Sequence, residues 1–365
     1  MEVGERVRAR VREVLPGRTH ASIAEEIGMT PDAFSRAVNG SRGFSAAELA
    51  ALSEVLNTSM YWLATGERDP AEALVIARHD FDHDTRSRHA DWDELKATVD
   101  KVSLAYRQAL LPSKSADVPS DADAVRTALG DGFVRAFAER LSDVYQIDVI
   151  RVGGLRNACS AMIAGRVVIV LNETGNWFHQ NWSLAHELGH VALGHADMPE
   201  PATHGEKDAQ ESAANAFAAE LVLPRDEVQQ MDWTSVSGDE IATDLWNWGV
   251  SSDALRRRLA VLHCPTSVTV NQMLGWTTQK ILRKFPSWNG DGTDQITERM
   301  DAAASRRFPL ELQAAHVELI SQGRLSKATL AWMLDVDEDE IEIDEPDTPD
   351  ADIDELARAL GFVAT

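Results

Sequence analysis

Apolar positions at helical spacing open the chain. Val3, Val7, Val11, Val14 and Leu15 recur every three or four residues, with Arg6, Arg8, Arg10 and Arg12 on the remaining faces, and this predicts an amphipathic helix. A second helix over 21–27 ends at Gly28. Thr30 and Pro31 then supply an N-cap and a first helical residue, Phe34, Ala37 and Val38 form a buried stripe, and Gly40 stops the helix. Ser45 and Glu48 make a capping box for a fourth helix carrying Leu49, Leu52 and Leu56, and Tyr61, Trp62 and Leu63 form a last short turn before Gly66. Residues 1–68 therefore read as an all-α bundle.

The stretch 69–120 reads as a charged helical connector closing in a linker, Pro112 to Asp121, rich in Ser, Pro and Asp. The pattern changes near Asp121. Phe133, Phe137 and Leu141 fit a core-facing helix, whereas Val149 to Val152 and Val167 to Leu171 are short aliphatic runs bounded by Gly153-Gly154 and Gly165, the pattern of strands. Helices resume to about residue 235. Beyond them, 236–334 reads as a further helical region and 335–365 as an acidic tail. The expected fold class is α+β and mostly helical: an N-terminal bundle, a domain with a small sheet over 121–235, and a helical C-terminal region.

With 365 residues, 44% hydrophobic and 26% charged, the chain has material for two or three cores and is not of the disordered class. Its 59 acidic residues against 35 basic ones give a net charge of −24, which opposes whole-surface attraction to nucleic acid or anionic membrane. From Asp335 to Glu355 there are 13 acidic residues and no basic one, whereas the first 68 residues hold 8 Arg against 9 acidic groups. Two cysteines, Cys159 and Cys264, make no disulfide framework, so a reducing cytoplasm is expected. Met1 to Glu13 lacks the apolar segment of a secretion signal, and the longest aliphatic run, Val167 to Leu171, is too short to span a bilayer; no membrane association is expected.

The chemistry concentrates in Ser183-Leu184-Ala185-His186-Glu187-Leu188-Gly189-His190. Two histidines four apart on a helix lie about 40° apart around its axis, so both imidazoles can hold one zinc ion. Glu187, between them, is placed to act as general base on a metal-activated water and then as acid toward the leaving amine. Leu184, Leu188 and Val191 give this helix an apolar stripe. A third ligand is needed. His195 stands half a turn away if the helix continues, and reads as a helix-end residue set against the dipole. Glu211 is the better candidate: Ala214, Phe217 and Leu221 build a packing stripe, Glu211, Asn215 and Ala218 line the adjacent face, and Asn215 is placed to orient a ligand. A second cluster, His79, Asp80, Asp82, His83 and Asp84, gathers no three ligands on one helical face and reads as a solvated connector. Tyr145, His179, His204 and Arg225 are the nearby candidates for stabilising a transition-state oxyanion.

Two resemblances follow from these residues. The stretch Ala21 to Gly66 resembles the lambda-repressor-like (XRE) helix-turn-helix family, which implies contact with operator DNA through residues 1–68, with Ser35, Arg36, Asn39 and Arg42 as the candidate base- and phosphate-reading side chains. The run from Val167 through Pro224 resembles the ImmA/IrrE family of zinc metallopeptidases, with a strand ending in Asn172, the Ser-Leu-Ala-His-Glu-Leu-Gly-His run, and Glu211-x-x-Ala-Asn-x-Phe-Ala-Ala-Glu-Leu-x-x-Pro. That resemblance implies a zincin-like domain with His186, His190 and Glu211 on Zn2+ and Glu187 as base. It further implies cytoplasmic cleavage of a partner protein, a helix-turn-helix repressor, in a stress-response or mobile-element switch. The chain departs from the simplest members in its N-terminal module and long C-terminal region. The competing reading is a DNA-binding regulator whose zinc domain senses or scaffolds without proteolysis. The strand Val167 to Leu171 is expected at a sheet edge, where it would pair with an extended substrate, and the acidic tail is a candidate cover for the helix-turn-helix or the active site.

Overall fold

The computed structural model describes residues 2–56, 58–66, 74–78, 92–195, 204–290 and 292–344. The chain divides into two units, Met1–Glu72 and Ala73–Thr365. The cluster His79 to Asp84 and the tail beyond Asp344 lie outside the described residues.

Among its described residues the first unit holds five helices: α1 (Val3–Val14), α2 (His20–Glu26), α3 (Pro31–Val38), α4 (Ala46–Val55) and α5 (Met60–Thr65). Their ends follow the local chemistry. Thr30 caps α3 with Pro31 in its first turn, and Ser45 and Glu48 close a reciprocal capping box on α4. Val7, Ile23, Phe34, Leu52, Leu56 and Leu63 form the core. Gly4 lets α1 cross the end of α3, since a Cβ there would stand 2.6 Å from the Val38 carbonyl oxygen. Arg6 donates to the carbonyls of Leu63 and Ala64 at 3.0 and 2.6 Å, capping α5.

The second unit is built on a four-stranded sheet: β1 (Leu74–Arg78), β2 (Asp148–Val152), β3 (Cys159–Ile163) and β4 (Arg166–Asn172), in the order β1-β3-β4-β2. β4 runs antiparallel to β3 and parallel to β2. Leu74–Arg78, expected within a helical connector, is thus a strand, paired with β3. β4 is central, not an edge, and the expectation that it would receive a substrate strand is overturned. Five consecutive aliphatic residues are the pattern of a strand buried on both faces, and all five are buried here.

Strand alternation divides the second unit's core into two layers. Val149, Val167, Ile169 and Leu171 pack on α7 (Ala122–Leu129), α8 (Phe137–Tyr145), α9 (Trp177–Ala192) and α10 (His204–Val222). The same core continues through α11 (Arg225–Gln230), α12 (Gly238–Trp248), α13 (Ser252–Val261), α14 (Val268–Leu274), α15 (Thr278–Lys284) and α16 (Gln295–Ala304). On the other face Ile150, Cys159, Ala161, Val168 and Val170 pack on α6 (Trp92–Ala109), α17 (Leu310–Ser321) and α18 (Ala328–Leu334). The residues read as a linker are tied down: the Lys114 N–H donates to the Gly165 carbonyl at 3.0 Å, and Arg166 donates to the Pro112 carbonyl at 3.1 Å. Among the described residues no helix is long and apolar enough to cross a membrane.

Candidate metal centre

Helix α9 is capped by Asn176, whose side chain accepts from the His179 N–H, and Gln180 pins it to the carbonyls of Asn172 and Ala303 at 2.9 and 2.7 Å. From Leu184 to His190 every residue is buried. This follows from its position, with the sheet on one side and α10 on the other. The approach of α10 depends on small residues. A Cβ at Gly189 would meet the carbonyl oxygen and Cα of Ala214 at 3.1 and 3.2 Å and Phe217 Cδ1 at 3.2 Å, so glycine at this position admits the neighbouring backbone.

That close approach brings Glu211 of α10 over His186 and His190. The two Nε2 atoms are 3.1 Å apart, and the Glu211 oxygens lie 3.3 Å from His186 Nε2 and 3.4 Å from His190 Nε2. One ligand atom from each of the three residues falls within 4.8 Å of the others. The tautomers follow from the outer contacts. His186 Nδ1 is 3.1 Å from Asn215 Oδ1, an acceptor, so Nδ1 carries the proton and Nε2 presents its lone pair inward. His190 Nδ1 is 2.7 Å from His195 Nδ1. Burial, and then the proximity of His190, hold His195 below the ordinary imidazole value, which favours a neutral ring whose Nδ1 lone pair accepts a hydrogen bond from His190 Nδ1. Both Nε2 lone pairs and both carboxylate oxygens then face one another, an arrangement that repels itself unless a cation sits among them. Two imidazoles and a carboxylate suit zinc, and each imidazole has the outer hydrogen bond that fixes a metal ligand.

His195 is a helix-end residue as expected, but its ring does not stand half a turn away from the centre. α9 stops at Ala192, Gly194 takes a left-handed conformation, and the His195 N–H returns to the His190 carbonyl at 3.1 Å. The reversal folds the imidazole back onto His190, and the half-turn offset assumed a helix that does not continue.

Glu187 is fully buried and its Oε2 accepts from Ser160 Oγ at 2.8 Å, while Oε1 has no hydrogen-bond partner among the described residues. Burial pushes its carboxyl up to about 8; Ser160 pulls against that and the Glu211 charge adds to it. Ser160 was not singled out in the sequence. It lies in β3 on the register that faces α9, opposite Cys159 and Ala161, and only recognition of that strand makes it visible.

Of the other expected residues, His179 faces Ser183 Oγ at 3.3 Å, the Arg225 N–H donates to Glu220 at 2.8 Å, and the Tyr145 hydroxyl is buried without a partner among the described residues. The His204 side chain lies outside the described residues. In the first unit, Arg36 pairs with Asp32 at 3.1 Å, Asn39 Oδ1 accepts from Arg8 at 2.7 Å, and Arg42 is clamped to both oxygens of Glu48 at 2.6 and 2.7 Å.

A family model covers the same part of the chain. Residues 148–260 match the family model of peptidase M78, described as an IrrE N-terminal-like domain. The matched segment begins at β2 and ends in α13, so this IrrE N-terminal-like region contains α9, α10 and every group of the centre. No curated protein and no solved structure matches the chain.

Proposed function

We propose that the chain is a zinc-dependent regulatory endopeptidase that cleaves a partner protein, a helix-turn-helix transcriptional repressor, in a stress-response or mobile-element switch. The observation that carries the reading is the convergence of His186, His190 and Glu211 beside a buried, half-satisfied Glu187 carboxylate. His186, His190 and Glu211 would hold the zinc, which when bound supplies Lewis-acid polarisation of a peptide carbonyl and acidifies a water. Asn215 and His195 fix the two imidazoles with their lone pairs inward. Ser160 fixes one oxygen of Glu187 and leaves Oε1 to take the proton of the attacking water and return it to the departing amine. The two free cysteines, Cys159 buried and Cys264 half-buried, agree with work in a reducing cytoplasm.

A second reading, a DNA-binding regulator whose zinc domain scaffolds without hydrolysis, draws support from the separate N-terminal bundle, in which α2, a turn at Gly28 and α3 follow in helix-turn-helix order. Asn39 and Arg42 are held by Arg8 and Glu48, and Arg36 by the more exposed Asp32, so operator contact in that reading would first have to release these internal pairs.

One experiment separates the two. Parent and Glu187→Gln chains are co-expressed with a neighbouring-gene repressor, zinc is counted by elemental analysis, and products are identified by mass spectrometry. The peptidase reading expects about one zinc in both chains and cleavage by the parent only. Equal cleavage by the two, or none by the parent with regulation intact, would overturn it. Loss of regulation in Arg36→Ala with Glu187→Gln unaffected would favour the second reading.

A further inference from the structure

The first half of α9 borders a cavity that the metal chemistry does not use. It is a half-open cleft of about 110 Å³ bordered by α8, β2, α9 and α16, with the three-residue turn before α8. Arg135, Arg151 and Arg299 line it, against one acidic residue, Glu139, and Arg135 also donates to Asn247 at 3.0 Å. Glu139 is mostly exposed and already accepts from Arg307 at 3.2 Å.

The donors are held and only partly spent. Arg299 stacks over Trp246, 4.2 Å from the ring centroid, and stands 5.9 Å from that of Trp177. Its Nη1 is buried with no acceptor among the described residues. Arg151 spends Nη1 on the carbonyls of Ala302 and Ser305, at 2.6 and 3.0 Å, and keeps a buried Nε without an acceptor. The indole Nε1 of Trp177, in the first turn of α9, is likewise buried without one. Buried donors are ordinarily satisfied, and three unsatisfied N–H groups on one cationic cavity describe the outline of a missing acceptor.

We propose that this cavity binds a small oxyanion, the carboxylate or phosphate group of a compact ligand, through Arg151, Arg299 and the Trp177 indole, with Arg135 at the rim. The volume sets the size: drug-sized ligands occupy roughly 300–1,000 Å³, so this site takes a few heavy atoms and excludes a nucleotide or a peptide chain. The peptide dipoles at the start of α9 add to the same positive potential. Burial and the neighbouring Arg135 bring Arg299 down to about 10, which leaves it charged at neutral pH, as an anion site requires. The proposal does not depend on the metal reading.

The test is calorimetric titration of the full chain with inorganic phosphate and, separately, acetate, at constant ionic strength set with chloride. The expected result is one saturable site per chain with Kd below about 1 mM for at least one of the two. The tighter anion assigns the ligand class. Arg299→Gln is expected to weaken binding at least tenfold and Arg135→Gln several-fold. Arg135 is exposed, so its variant decides the matter if Arg299→Gln fails to fold by circular dichroism. No saturable binding of either anion overturns the proposal, since the cavity then holds only water. Binding undiminished in the folded variants overturns it as well, because the anion is then bound elsewhere.

Discussion

At Glu187 two tendencies oppose each other: burial favours the neutral acid, whereas the Ser160 hydroxyl stabilises the anion. Ser160→Ala removes the donor while leaving the three metal-binding side chains intact. Zinc content is expected to be unchanged and kcat to fall about tenfold, less than the roughly 10²–10⁴-fold that the positioned acid-base group itself contributes, because Glu187 remains. Because the lost hydrogen bond had favoured the charged form, the acid limb of the kcat/KM profile is expected to move to higher pH; a structural defect alone would lower activity without moving it. Asp244 presents a related conflict away from the centre. Its Oδ2 is buried without a partner among the described residues, and burial, with Glu240 and Glu227 nearby, pushes the carboxyl up to about 6. Since the folded value lies above the unfolded one, the native state binds the extra proton. The resulting stability is complete below the ordinary aspartate value and lost as pH rises through 6. Asp244→Asn is expected to raise stability at pH 8 by about 1 kcal/mol, discounted for partial exposure, and to flatten the loss between pH 4 and 7 in urea titrations.

Among the elements, the pair α9 and α10 decides whether three ligands meet. Gly189 stands where α10 comes nearest, and an alanine there forces Ala214 and Phe217 back by a few tenths of an ångström. Gly189→Ala is expected to cost about 1–3 kcal/mol in stability and to weaken zinc binding about tenfold, read by competition with a chelator; unchanged affinity would mean that the helices can shift without parting Glu211 from the histidines. Much of this pair was legible in advance: the histidine spacing, the apolar stripe of α9 and the alanines of α10 each follow from a helical period. The sheet was half legible. β2 and β4 are β-branched runs with glycine boundaries, but Cys159-Ser160-Ala161-Met162-Ile163 carries weak strand preference, and Leu74–Arg78 follows a helix-like stretch, so both depend on partners distant in sequence. Ser160 was hidden with its strand, and the contact of the helix-end residue His195 with His190 was hidden because the chain reverses at Gly194.

For the larger unit as a whole, the IrrE N-terminal-like match ends at residue 260, whereas the packing does not. One sheet face, with Ile150, Val152, Cys159, Ala161, Ile163, Val168 and Val170, is covered by α6, α17 and α18, all outside the matched segment. A buried ion pair crosses that layer. Arg166, fully buried, holds Asp148 at 2.8 Å; Tyr106 of α6 donates to the same carboxylate at 2.9 Å, and Glu311 of α17 lies 3.0 Å from Arg166. A chain without α6 and α17 keeps the Arg166–Asp148 pair but strips it of Tyr106 and Glu311, a loss of about 0.5–3 kcal/mol for each such hydrogen bond. Uncovering the apolar face adds the loss of several buried side chains at roughly 1.5–3 kcal/mol each. Together these exceed much of the total stability of an ordinary domain, about 5–15 kcal/mol. A chain shortened to residues 121–260, which keeps every metal-binding side chain, is therefore expected to bind a hydrophobic dye and to melt without a cooperative transition, whereas residues 73–344 melt cooperatively. A soluble shortened chain that melts in one sharp step and retains zinc would mean that the second layer is an attachment, with the helices beyond residue 304 free to serve some other purpose than holding the centre together.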